Sequence, residues 1–68
     1  MPPGLRPDLL AAVTAALSAV RERGWFVGKI EWEDQTVRTV RFNAKRGSQG
    51  TYVVCFESDL AKRLQALL

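Results

Sequence analysis

The sequence predicts an α+β domain in the order helix, three antiparallel strands, helix, with both helices on one face of the sheet. Three observations predict it. An apolar stripe of helical period runs from Leu9 to Val20. Between Trp25 and Glu57, three runs are rich in strand-forming residues and show stretches of period-two alternation. A second, shorter stripe, Leu60, Leu64 and Leu67, closes the chain. Short connections between the runs make the strands a meander, which leaves one sheet face for both helices.

The elements follow in order. Residues 1–7 hold three prolines and a glycine and read as a flexible tail, so the domain proper spans 8–68. The first helix is expected to start at Pro7 and Asp8, because proline loses no hydrogen bond in a first turn and a carboxylate suits the positive end. Leu9, Leu10, Val13, Ala16, Leu17 and Val20 form its apolar stripe. Arg21 and Arg23 suit its negative end, and Gly24 supplies a left-handed stop.

The first strand is expected over Trp25–Glu33. Phe26, Gly28, Ile30 and Trp32 share one face, and Trp25, Val27, Lys29, Glu31 and Glu33 share the other. Asp34-Gln35 makes the turn. The second strand covers Thr36–Asn43, with Val40 and Phe42 inside and Arg41 outside. The third covers Thr51–Glu57 and is apolar on both faces, which points to a central strand or one covered at a subunit contact. Ser58 and Asp59 open the last helix.

Composition excludes several functions. The chain has 68 residues, one cysteine and no histidine. It therefore lacks an internal disulfide, the usual Cys/His zinc sets and the common acid–base side chain of neutral pH. Cys55 has no histidine to activate it and reads as a small buried strand residue. Glu31, Glu33 and Asp34 read as a solvated turn rather than a cation site. No enzyme activity, cofactor or metal is expected. The N-terminus lacks the basic start and apolar run of a signal peptide, and the Leu9–Val20 stretch is too short to span a bilayer. A cytoplasmic protein without membrane contact is the expectation.

Two surfaces remain as candidates. The first is apolar: Trp25, Val27, Val37, Val53 and Cys55, on the sheet face away from the helices. It suits a protein-interaction module, a regulator or inhibitor. A homodimer through the part of this face bearing Val53 and Cys55 is expected, because it enlarges the thin core of so short a chain. The second is basic. The chain carries ten Lys and Arg against seven Asp and Glu, a net charge of +3. Asn43–Gly50 reads as a loop that presents Lys45 and Arg46 to phosphate, with Arg38, Arg41, Lys62 and Arg63 in support. That surface implies weak, sequence-nonspecific nucleic-acid binding. The apolar surface is preferred, because a strand apolar on both faces is a stronger signal than a charge of +3.

The element order, the length and the basic stretch Asp59-Leu60-Ala61-Lys62-Arg63-Leu64 resemble the double-stranded-RNA-binding domain. The resemblance implies that Lys62 and Arg63 grip phosphates from the start of the last helix. In this chain Glu33-Asp34-Gln35 stands where that family has a glycine-proline loop.

Overall fold

A computed structural model describes residues 1–68. The architecture is α+β, with two helices on one face of an antiparallel sheet. Helix α1 spans Pro7–Glu22, strand β1 Phe26–Val27, β2 Glu31–Asp34, β3 Thr39–Arg46 and β4 Gln49–Phe56. A single 3-10 turn, Glu57–Asp59, leads into α2, Leu60–Gln65. The sheet thus has four strands where three were expected. β3 lies at its centre, pairing with β1 and β2 along one side and with β4 along the other.

The fourth strand arises from a break in the expected first one. Val27 pairs with Ala44 and Glu31 with Arg41, so three residues of one strand oppose two of the other. That extra residue lies in Gly28-Lys29-Ile30, where no strand is formed. One inserted residue reverses which parity of side chain faces the core. Val27 is therefore buried and Phe26 exposed, the opposite of the sequence expectation, while Ile30 beyond the break is buried as expected.

α1 begins with Pro7 at its first position and carries Asp8 in its first turn. Val13, Ala16, Leu17 and Val20 are its buried face. It ends where Gly24 takes φ 89°, with the Gly24 N–H donating to Arg21 O (3.0 Å) and the Trp25 N–H to Val20 O (3.1 Å). These two bonds satisfy carbonyls that the last turn would otherwise leave open.

The expected basic loop is not a loop. β3 continues through Arg46 and β4 starts at Gln49, so only Gly47-Ser48 connects them. Such a connection takes positive φ at its first residue, and Gly47 has φ 60°.

The core joins Val13, Ala16, Leu17 and Val20 of α1 to Val40, Phe42 and Ala44 of β3. Val53 and Cys55 of β4 and Leu60 and Leu64 of α2 complete it. The N-terminal residues, expected to form a flexible tail, are packed on this frame. Pro2 is buried, Trp32 Nε1 donates to Pro3 O (2.7 Å), and Arg38 Nη2 donates to Gly4 O (2.8 Å). No helix is long and apolar enough to cross a membrane.

Candidate interaction surface

The β3–β4 register sorts the side chains into two faces. Val40 opposite Cys55 and Phe42 opposite Val53 lie beneath the helices. Thr39 opposite Phe56, Arg41 opposite Val54 and Asn43 opposite Tyr52 lie on the open face. Phe26, opposite Lys45, and Glu31, opposite Arg41, join them there. The open face thus carries an apolar stripe along β4, Tyr52, Val54 and Phe56. Phe26 stands across β3 from it, with Asn43 and Lys45 between.

These side chains are well exposed: Phe26 at 71%, Tyr52 at 57%, Phe56 at 55% and Val54 at 42%. An aromatic side chain presents roughly 150–250 Å². The β4 stripe alone therefore offers about 300 Å² of apolar surface, the lower end of the largest patches on ordinary monomers. A shallow depression of about 530 Å³ opens beside Tyr52, lined by Asn43, Lys45, Gly50 and Thr51.

This arrangement corrects the apolar surface expected from sequence. Val27, Val53 and Cys55 are buried under the helices. Val37 is exposed, but in the turn before β3. Trp25 packs against the core from the end of α1. The Arg46 guanidinium stacks 5.1 Å from its ring centroid, and its buried Nε1 finds no acceptor in the protein. The residues that form the open face instead are Phe26, Tyr52, Val54 and Phe56. Their signal in the sequence was the alternation Tyr52, Val54, Phe56, which could not be told from its equally apolar counterpart Val53 and Cys55. β4 is also an edge strand, not the central one.

The six basic residues singled out from sequence do not form one field. Arg38 lies in the turn before β3 at φ 56° and is committed to the fold. Its guanidinium pairs with Glu57, reaches Gly4 O and lies 5.0 Å from the Trp32 ring centroid. Arg41 sits between two carboxylates of β2, with Nη1 2.9 Å from Glu33 Oε2 and Nη2 3.8 Å from Glu31 Oε2. Hydrogen bonding to Glu33 raises the Arg41 pKa above its ordinary value. Glu31 and Glu33 thereby serve to neutralise a cation on the open face. Arg46 is a strand residue that packs on Trp25 and reaches Arg23 O (3.5 Å). Lys45 is exposed on the open face. Lys62 and Arg63 are exposed on α2, on the other side of the sheet.

Cys55 is buried, and burial pushes its thiol pKa up. A thiol held in its neutral form is a poor nucleophile. No group of three Cys, His, Asp or Glu side chains is placed to hold a metal ion.

No protein-family model matches this chain, and no solved structure matches it. The resemblance to the double-stranded-RNA-binding domain therefore has no support beyond the element order, length and basic stretch of the sequence. The broken first strand makes four strands where the expected layout has three, while the closing helix is present as α2.

Proposed function

We propose that this domain is a non-catalytic protein-interaction module, of the regulator or inhibitor kind, that works through the open face of its sheet. The observation that carries this reading is the Tyr52–Val54–Phe56 stripe on β4, with Phe26 across the sheet from it. Aromatic side chains presented by a rigid sheet are effective anchors, because they lose little conformational entropy and bury a large area. Arg41, held between Glu31 and Glu33, adds a polar rim that is acidic on balance, one cation against two carboxylates.

The test is affinity capture from the native cell extract, with and without nuclease, using the wild type and the Phe26→Lys and Phe56→Lys variants. The expected result is a stoichiometric protein, retained after nuclease treatment and weakened by both substitutions. Capture that is indifferent to both substitutions would overturn the reading.

One observation favours a second reading, nucleic-acid binding. Phe26 and Tyr52 share the open face with Lys45 between them, and exposed rings beside a cation can stack bases along a single strand. Titration of a labelled single strand and a labelled duplex at low and physiological salt tests it. This reading expects weak, sequence-indifferent binding that falls steeply with salt.

A further inference from the structure

The free edge of β4 is the least protected feature of the molecule. β4 pairs with β3 on one side and with no strand on the other. Its sequence, Gln49-Gly50-Thr51-Tyr52-Val53-Val54-Cys55-Phe56, contains no charged residue and no proline, and its β3 pairing shows no register shift. Natural edge strands are ordinarily blunted by charge, proline, bulges or short length. The opposite edge is blunted in these ways: it is interrupted after Val27, shifts register again between Trp32 and Asp34, and carries Glu31, Glu33 and Asp34.

The backbone directions on β4 follow from two hydrogen bonds. The Glu57 N–H donates to Arg38 O (2.9 Å), and on the far side of β3 the Gly28 N–H donates to Asn43 O (2.8 Å). In an antiparallel ladder the residues alternate between bonding one neighbour and facing the other. Tyr52, Val54 and Phe56 therefore turn their N–H and C=O groups to the free edge. Their side chains stand on the open face, so backbone and side-chain complementarity coincide at the same three residues.

We propose that a second copy of this chain occupies that edge, β4 to antiparallel β4, with the two-fold axis at Val54. In this register Val54 faces the partner's Val54, and Tyr52 faces the partner's Phe56. The three residues of each copy then form six backbone hydrogen bonds across the axis. Two aromatic cross-strand pairs flank a valine pair on the open face. Moving the axis to Tyr52 would leave Phe56 beyond the paired strand. Charge favours the same edge. Two copies each of net charge +3 meet along a strand that bears no charge, whereas pairing through β2 would bring Glu31, Glu33 and Asp34 together.

Area sets the expected strength. A standard interface buries about 800 Å² per partner. One paired strand edge with the facing halves of Tyr52 and Phe56 makes a smaller interface than that. The dimer is therefore expected to be weak and reversible. It joins two sheets edge to edge and leaves both open faces available, so it rests on the proposed interaction face and extends it into one eight-stranded platform.

Sedimentation of the full chain across the micromolar range tests the pairing. The expected result is a reversible shift towards twice the 7.6 kDa chain mass. Val54→Pro removes an N–H that faces the edge and leaves the β3–β4 ladder its donors. It should raise the dissociation constant about tenfold or more, because two hydrogen bonds across the axis are lost. Circular dichroism is the check that this variant is folded, and Val54→Lys provides a second variant with its ladder N–H groups intact.

Register is tested in a Cys55→Ser background: Val54→Cys should oxidise to a covalent dimer, and Tyr52→Cys should not. A monomer throughout the range overturns the proposal, as does a dimer that neither folded variant weakens or one that crosslinks only through position 52. Phe26→Lys should leave the dimer unchanged. Loss of a captured partner in that variant alone bears on the face, and loss of the dimer in Val54→Pro bears on the edge, so the two readings fail separately.

Discussion

The Arg38 guanidinium closes over the buried Glu57 carboxylate, with Nη2 3.1 Å from Oε2, and so ties the turn before β3 to the end of β4. The Glu57 N–H donates to Arg38 O, which gives the pair a backbone bond as well as an ionic one. Arg6 adds its own N–H to Glu57 Oε2 at 3.4 Å, linking the start of α1 to the same carboxylate. A buried carboxylate held by a guanidinium is stable as a unit, and breaking it leaves an uncompensated charge.

Glu57 therefore sets an acid limb to stability. The hydrogen bond from Arg38 holds its pKa below the ordinary value of 4.5, and the Arg6 backbone bond adds to the effect. A depressed folded pKa means that the unfolded chain takes up its proton first as pH falls. The contribution of Glu57 is thus complete above about pH 4.5 and is lost as pH falls through the depressed value. Glu57→Gln should lower the melting temperature at neutral pH and flatten its fall below pH 4.5. Melts of both proteins across that interval measure it, and parallel acid limbs would contradict the assignment.

The two tryptophans should respond unequally to loss of the indole N–H. Trp32 Nε1 holds Pro3 O at 2.7 Å, so Trp32→Phe should cost about 1 kcal/mol and release the N-terminal residues. Trp25 Nε1 is buried with no acceptor, so Trp25→Phe removes an unsatisfied donor. That gain offsets part of the lost ring area, and the change should stay within about 1 kcal/mol of neutral. Urea unfolding of the two variants compares them. A larger loss at Trp25 than at Trp32 would contradict the balance assigned between the unsatisfied N–H and the ring contacts of Trp25.

Much of the fold was legible because helical stripes and turn residues are local signals. Val13, Ala16, Leu17, Val20, Val40, Phe42, Leu60 and Leu64 were placed inside by periodicity and are buried, whereas Leu10 of the same helical stripe is exposed. Gly24 was placed as the stop of α1 and has the positive φ that this requires. The open face was not legible, for two physical reasons. A single extra residue within Gly28–Ile30 inverts the parity of everything before it, and no residue type announces that register change. β4 is apolar on both faces, so alternation could not choose between Val53 with Cys55 and Tyr52 with Val54 and Phe56. Lys45 and Arg46 were misread because the glycine-bearing stretch is mostly strand. Its backbone continues in the β3–β4 ladder up to Gly47.

Lys45 and Arg46 are neighbours in sequence but differ in what they touch. Lys45 points from the open face into solvent, so Lys45→Glu should change stability by less than about 0.5 kcal/mol. Arg46 covers Trp25 and reaches Arg23 O, so Arg46→Glu should cost about 0.5–1 kcal/mol through loss of the cation–ring contact. It should also shift the tryptophan emission, because the indole loses its cover. Equal, negligible effects at both positions would restore the reading of this segment as a plain solvated connection.

Cys55 decides which way β4 faces. In the structure its side chain lies beneath the helices, 8% exposed, and burial raises its pKa, so the reactive thiolate is scarce and hidden. A soluble thiol reagent should therefore modify the folded protein only through local or global opening. The rate should be at least about a hundredfold slower than in denaturant, and urea should accelerate it in step with unfolding. The labelled protein should be destabilised, because an added group does not fit between Val40 and the helices. Labelling of the folded chain at the denatured rate would mean that Val53 and Cys55 face solvent. In that case Tyr52, Val54 and Phe56 would lie in the core, and the open face described above would belong to the opposite parity of β4.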